Sequence, residues 1–597
     1  MSIFQQITSK NFQVCYKNVK FKEKLFQYSR YFSSKSSTNQ QETYNTSAAK
    51  TFVTFQDKVR KRRSEAKKSI IVQVQSAQSF KELYSYCSSF GNIKQMFHYS
   101  AGIEPMHFIL VEFQQIDAVK AALSSGTFIE NNTICPTHSQ FLWFRAGAKK
   151  FSERKHKKIE LSVTDGLKKL SSDCLKKELR CCESISDQIN TLYDMSKLTD
   201  LESRLRFLTA RQIEMSLAGM FPNAQVLPFG SSVNGYGKIG CDLDVVLTLD
   251  NEKEAPDSRL IFHCKGSSGV DRSLNMRNLE TIGDILHLFL PGCTRVRKIL
   301  QARVPIIKYY HQFTDVECDL SMSNVSGVHM SDFLYMMGAL DPRVRPLVFT
   351  VRRWAKDVGL TNSTPGRWIT NFSLTLLVLS FLQRPLHSPP ILPALNTLVK
   401  SAGSKDSFVT EEGVNCTFLR DIDKLHHNVS NTESLESLLC EFFEYYSQFD
   451  FKTKSVCLNE AVTLSKPDHS PLYIVNPLER GLNVSKNVSL EELDRFREEV
   501  KNAAWLLQST GDTNSPNWGL LSILGTIKHK SKLTFNFNSP KNHRLMHVKE
   551  LFVEGENDVK ISEIEFKNNV VKKQVEEIKK ENVKLMKSLS SIKGTVR

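Results

Sequence analysis

The stretch from Phe229 to Leu249, FGSSVNGYGKIGCDLDVVLTL, constrains this chain more than any other. It opens on Gly230-Ser231, passes Gly235, Gly237 and Gly240, and reaches Asp242 and Asp244 on either side of Leu243. The apolar run Val245-Val246-Leu247 follows directly. Alternate residues of a strand share a face, so carboxylates two apart point to one side while the apolar run anchors the strand. Hard divalent cations such as Mg²⁺ take one or two carboxylates and complete their shell with substrate phosphates. A small residue followed by a hydroxyl lets backbone approach a phosphate closely, as phosphate-cradling loops require. A lone D-x-D is more often a solvated turn. The Gly-Ser opening, the ten residues between it and D-x-D, and the apolar strand make this one a candidate site.

A third carboxylate lies downstream. Val304 to Tyr310 reads as a strand, followed by a turn and the alternating segment Val316-Glu317-Cys318-Asp319-Leu320-Ser321. Pairing of that segment beside the first strand would complete a cluster of Asp242, Asp244 and Asp319. Two ions of Mg²⁺ or Mn²⁺ on such a cluster can activate a hydroxyl and stabilise a leaving pyrophosphate. Lys298 and Lys308 precede the third aspartate; either could lie near phosphate, but each reads first as a surface cation. The constellation resembles the nucleotidyltransferase superfamily that contains DNA polymerase beta and the poly(A) polymerases. It implies an α+β fold with a polymerase-beta-like palm at 220–323.

Length and charge bound the rest. A chain of 597 residues holds two to four domains, and a net charge of +17 suggests a polyanionic partner. Thirteen scattered cysteines with no C-x-x-C lack zinc spacing and suit a reducing compartment. The longest apolar run, around Leu374 to Leu382, is too short to span a membrane. Residues 1–32 carry six Lys/Arg, a single acid (Glu23) and interspersed apolar residues, the composition of a mitochondrial presequence. Cutting after Phe32 would deliver the protein to the matrix, and a polar linker runs over 33–50.

At 51–147 the pattern predicts βαββαβ, the order of an RNA-recognition motif (RRM). Its aromatic platform is poor. Met106-His107-Phe108-Ile109-Leu110 stands at the signature strand, and only Phe108 could stack on a base. An aliphatic sheet face suits packing on a second copy or on another domain better than nucleic acid, and a homodimer through this RRM-like domain is the expectation. A basic linker follows at 148–165. A helical central domain is expected from 166–219 and 324–530, with Leu374, Leu377, Val378 and Phe381 at core spacing. A charged tail, helical or disordered, spans 531–597.

Past Asp319 the resemblance sharpens. NVSGVHMSDFLYMMGALDPRVRPLVFTVRRWAKDVGL, ITNFSLTLLVLSFLQ and PLYIVNPLERGLNVSKNVS resemble the central domain of the terminal nucleotidyltransferases, and most of all the mitochondrial poly(A) polymerase family. That likeness implies ATP as substrate, RNA 3′ ends as acceptor and adenylyl transfer. By the same likeness Gly230 and Ser231 seat phosphates, and Asn324 and Ser331 contact the ribose. Arg352 and Lys356, four apart on one helix face, hold the triphosphate, while Asn371 and Phe372 bind phosphate and stack on the base. Met330 stands where an asparagine is common, and Asn476-Pro477 where Asp-Pro is usual. A uridylyltransferase on the same fold and a non-catalytic RNA-binding scaffold are the alternatives; the intact aspartate set argues against the second.

Overall fold

The computed structural model describes residues 52–524, apart from 103, 127–138, 145–160, 164–170, 219–220, 222–223, 250–271, 323, 363, 365, 411–412, 426–428 and 510–516. The presequence, the linker to residue 50 and the 531–597 tail lie outside the described residues. Helix α1 (Phe55–Lys67) starts where the Thr54 hydroxyl accepts from the Asp57 amide, an N-cap that satisfies a first-turn donor. Then come β1 (Ser69–Val74), α2 (Phe80–Ser88), β2 (Ile93–Ala101), β3 (Met106–Phe113), α3 (Ile116–Ser124) and β4 (Phe141–Trp143). Their sheet order is β4-β1-β3-β2, extended beyond β2 by β5 (Leu161–Val163), which runs parallel to it. β5 falls inside the stretch expected to be a linker. Its three residues are too few to set up a readable alternation among the surrounding lysines.

Helices α4 (Ser172–Arg180), α5 (Ile185–Ser196) and α6 (Asp200–Leu217) lead into the palm. The palm comprises β6 (Ala224–Phe229), β7 (Leu243–Leu249), α7 (Arg272–Leu288), β8 (Cys293–Ile299), β9 (Ile306–His311) and β10 (Val316–Ser321). Its strand order is β6-β7-β10-β9-β8. β10 runs parallel to β7, with Asp319 opposite Asp244, and antiparallel to β9, with Asp319 opposite Lys308. Val245, Leu247, Cys318, Leu320, Ile307 and Tyr309 pack against Leu279, Ile282 and Leu286 of α7 and against Ala210, Ile213 and Leu217 of α6. α6 therefore belongs to the palm, not to the helical domain in which its residues were expected. Only α4 and α5 join the latter, through Leu175, Leu179, Ile185, Ile189 and Leu192.

The helical domain holds α8 (Val325–Leu340), α9 (Val344–Asp357), α10 (Asn371–Leu382), α11 (Leu395–Lys400) and α12 (Leu435–Gln448). A hairpin, β11 (Lys454–Cys457) and β12 (Val462–Ser465), interrupts the helices before α13 (Leu490–Ser509) and α14 (Leu520–Ile523). α10 is buried on every side from Ser373 to Leu382, as an all-apolar helix must be. Trp354 sits between Phe443 and Phe496, ring centroids 4.8 and 6.3 Å away. The ten described cysteines are free thiols. Among the described residues no helix is long and apolar enough to cross a membrane.

The N-terminal sheet packs on another part of the chain, not on a second copy. One face is covered by α2 and α3. The other carries Ile71, Phe97, Tyr99, Phe108 and Leu110, and packs with Leu201, Leu205, Phe207 and Leu208 of α6 and with palm residues Leu227, Val246 and Phe313. Phe108 is 1% exposed, lies 5.4 Å from the Tyr99 ring and 5.7 Å from Phe313. The face is thus aromatic as well as aliphatic, and its partner is this chain's own palm. The premise of an exposed apolar face available for a homodimer does not hold. Ion pairs clip the same contact, Arg204 to Glu112 at 2.7 Å and Arg63 to Glu214 at 2.6 Å.

Candidate active site

The register sets one row of side chains straight across the palm. Phe229 pairs with Asp244, Asp244 with Asp319, Asp319 with Lys308, and Lys308 with Arg297. Neighbours in such a row stand on one face of the sheet. Asp242, two residues before Asp244, falls on the same side. The opposite face is the buried one, with Leu243, Val245, Ile307, Tyr309 and Cys318. The three aspartates expected from the sequence therefore lie on one side of the sheet.

Their charges work against one another. Burial, then the carboxylates of Asp319 and Asp242, push Asp244 up to about 7. Burial raises Asp242 as well, with Asp319 and Glu317 adding to it against the pull of Lys308. The Lys308 ammonium donates to both oxygens of Asp319, at 3.0 and 3.1 Å. Burial pulls the Lys308 pKa down, but Asp319 and Asp242 outweigh it and leave it raised. Lys308 is thus part of the site, not the surface cation its sequence context suggested; Lys298 is one, paired at 2.6 Å with Asp284. Among the described residues no three acidic, histidine or cysteine side chains are arranged as a ready-made metal cage, and Asp319 is held by the lysine. The donor set fits hard divalent cations nonetheless: all oxygen, and carrying repulsion that a cation would relieve.

The glycine loop seats against this row. Gly230 has φ 69°, and a Cβ there would stand 2.5 Å from Asp244 Oδ2, so only glycine brings the loop this close. The Gly230 amide donates to the Ser331 hydroxyl at 2.7 Å, which in turn donates to the Gly327 carbonyl. Ser331 is buried with its hydroxyl so engaged; it buttresses the loop. The Ser232 hydroxyl holds the Asp242 carbonyl at 2.8 Å, fixing the loop to the first aspartate.

A brace comes from the start of α6. Thr199 and Glu202 form a capping box, and the second oxygen of Glu202 accepts from the Gly240 amide at 3.1 Å. Arg206 donates to the Cys241 carbonyl. T-x-x-E was legible as a helix start, but nothing in the sequence tied it to the loop.

Cations gather on the loop's other side. Arg352 donates to the Tyr236 carbonyl at 2.8 Å, and burial pulls its pKa down to about 10. Lys238, which the sequence reading passed over, is lowered first by burial and then by Lys356 and Arg352. Cations so grouped beside a glycine loop suit a polyanion. Asn324 caps α8 directly after β10, beside Gly327 and the Phe229 ring. Asn371 is exposed at the first turn of α10, and Phe372 is half-buried against the helical core. Neither hydrogen-bonds to the palm among the described residues. Met330 also packs on that core. Asn476 accepts from the Leu478 and Glu479 amides at 3.0 and 3.1 Å, a turn-closing role that aspartate would serve equally.

Comparison with known proteins finds clear likenesses. Residues 185–339 match the family model "Poly(A) RNA polymerase, mitochondrial-like, central palm domain", and 434–487 match "Cid1 family poly A polymerase". The chain is 46% identical to the mitochondrial poly(A) RNA polymerase of Drosophila melanogaster, over 88% of this chain and 89% of that one. Against the Homo sapiens protein of the same name it is 40% identical, over 79% and 81%. A crystal structure of mtPAP in complex with ATPγS superposes with a TM-score of 0.70 at 36% identity, covering 79% of this chain and 99% of that one.

Proposed function

The chain belongs to the mitochondrial poly(A) RNA polymerase family, and from that premise we propose that it is a mitochondrial, template-independent RNA 3′-adenylyltransferase using ATP. The single observation that carries the reading is the row Asp244–Asp319–Lys308, lying beside a glycine loop that also adjoins a group of three cations. The RNA 3′-hydroxyl oxygen attacks the α-phosphorus of ATP, the bond to the β-phosphate's bridging oxygen breaks, and pyrophosphate leaves. Asp242, Asp244 and Asp319 are the residues that would hold Mg²⁺ or Mn²⁺, whose chemistry is to neutralise phosphate charge and acidify the hydroxyl. Asp319 helps activate that hydroxyl, with Lys308 keeping its carboxylate oriented.

Gly230 and Ser231 seat the phosphates, and Lys238, Arg352 and Lys356 neutralise the triphosphate. Asn324 is the ribose contact, with Ser331 supporting Gly230 rather than touching sugar. Asn371 and Phe372 supply phosphate and base-stacking contacts. We read 51–147 as RRM-like from its strand order, 220–323 with α6 as the palm, and the remaining helices to about 530 as the central domain. The matrix is the expected compartment, from the relatives' names and the basic, acid-poor start of the chain.

Extension of an RNA primer with each ribonucleotide separately tests the reading. ATP should be used best, and Asp242→Ala, Asp244→Ala or Asp319→Ala should each cut extension by about a hundredfold or more with an unchanged far-ultraviolet circular dichroism spectrum. Near wild-type extension by Asp319→Ala would remove the third carboxylate from the site. Equal extension with UTP would make the enzyme a uridylyltransferase on the same fold.

A further inference from the structure

We propose that the outer strands of the palm, β9 and β8, form the platform on which the RNA 3′ end lies, with Arg295 and Arg297 positioning its last nucleotides. The placement rests on the adenylyltransferase reading and follows from the direction of the reaction. In an in-line displacement the attacking oxygen and the leaving pyrophosphate stand on opposite sides of the phosphorus. The glycine loop and the cations Lys238, Arg352 and Lys356 lie toward β6 and β7, which puts the triphosphate there. The attacking strand then approaches over the other half of the row. That half reads Asp319, Lys308, Arg297, turning from acid to base as it moves outward.

β8 is the edge strand, and its two faces have different partners. Lys298 sits opposite buried Ile307 and reaches Asp284 of α7, on the core side. Arg297 sits opposite Lys308, on the side of the aspartates, and is exposed. Among the described residues it has no ion-pair partner. Between Thr294 and Arg297 the pairing slips by a bulge, and Arg295 there takes φ 55°, a left-handed conformation uncommon for a side chain of this size. Bulges beside active sites re-aim side chains. This one lays the Arg295 guanidinium over the Tyr310 ring, 4.2 Å from its centroid. Tyr310 is itself pinned, its hydroxyl donating to Asp315 at 2.5 Å. A guanidinium held over a ring on an exposed residue is a stacking surface for a nucleobase and a partner for phosphate. Single-stranded RNA asks for both. Stacking of this kind tolerates any base.

Steady-state extension of a fluorescein-labelled single-stranded RNA by the full-length protein tests the placement, with RNA varied at saturating ATP and then ATP varied at saturating RNA. Arg297→Glu and Arg295→Ala should each raise the KM for RNA about five- to tenfold and leave the KM for ATP within about twofold. Each should also make the dependence of RNA affinity on salt shallower by about one ion. Lys298→Glu, one residue away on the core face, is the charge-matched control and should leave the RNA KM unchanged. Arg295→Gly separates recognition from folding. It relieves the left-handed backbone, so it should melt no lower than the wild type and still lose RNA affinity. An unchanged RNA KM in Arg295→Gly and Arg297→Glu overturns the placement, as does an equal defect in Lys298→Glu. Absence of RNA extension by the wild-type protein would instead sink the adenylyltransferase reading beneath it.

Discussion

Asp244 carries the largest share of the tension in the site. Its folded pKa of about 7 lies above the ordinary carboxylate value near 4, so between those limits the folded protein holds more protons than the unfolded chain. Without metal, stability therefore falls as pH rises through that window, by on the order of 2–4 kcal/mol in total. Asp244→Asn should abolish that slope and melt higher than the wild type at pH 8 in chelator, while losing primer extension. Adding Mg²⁺ at pH 8 should raise the melting temperature of the wild type and not of the variant. Equal melting of the two proteins in chelator at pH 8 would show that the aspartate is not strained by its neighbours. Lys238 makes the complementary case on the cation side. Lys238→Ala should raise the KM for ATP about tenfold, roughly the loss of one charge-assisted contact to phosphate, and leave the KM for RNA alone. A shift in the RNA KM instead would move Lys238 out of the triphosphate cradle.

Between elements, buried polar contacts decide what stays in place. His311 at the end of β9 bonds Gln212 of α6 at 2.8 Å and Thr314 at 2.7 Å, and burial lowers its pKa to about 3. Here the sign is reversed. From the unfolded value near 6.5 downward, the unfolded chain binds the proton and the folded one refuses it, so stability falls with acid. His311 should account for about 2 kcal/mol of loss at pH 5. His329, burial-lowered to about 3 in the same way, adds its own share. The difference in urea midpoint between pH 7 and pH 5 should shrink in His311→Gln; an unchanged difference would mean that water reaches the ring. Such contacts explain what the sequence could and could not disclose. The D-x-D strand, the third aspartate's strand and the βαββαβ order were readable because each is written in local alternation and spacing. Lys308 was not, because its place depends on which residue of β10 it faces, and register is a long-range property. The Glu202 and Arg206 brace is likewise a contact between a helix start and a loop that no local pattern links. The hairpin of β11 and β12 hid because two four-residue strands are shorter than the helical periodicity around them.

On the scale of the molecule, the N-terminal sheet is structural support for the palm, a role its composition concealed. Its apolar face was legible, but a sequence shows only that a face needs covering and never what covers it. Tyr99 donates to the Phe313 carbonyl at 3.0 Å, and the Phe108 and Phe141 rings lie 5.7 and 5.5 Å from the Phe313 ring. Phe313 lies in the turn between β9 and β10, the two strands that present Lys308 and Asp319. Disturbing the N-terminal sheet should therefore be felt in the active site with no catalytic residue changed. Deleting 51–146 would uncover Leu201, Leu205, Phe207 and Leu208 of α6 together with Leu227 of β6, and should give an aggregating protein instead of an active smaller one. Phe108→Ala is the gentler version. Loss of a fully buried aromatic costs about 3–5 kcal/mol, and the cost should appear as a lower midpoint of one cooperative transition shared by sheet and palm. Extension should fall with it, and ATP and Mg²⁺ should restore part of the lost midpoint, since ligand binding to the folded palm stabilises whatever unfolds with it. A scan in which the variant's N-terminal part melts early while the ligand-stabilised transition stays where the wild type has it would show two independent bodies, and would confine this sheet to a role apart from catalysis.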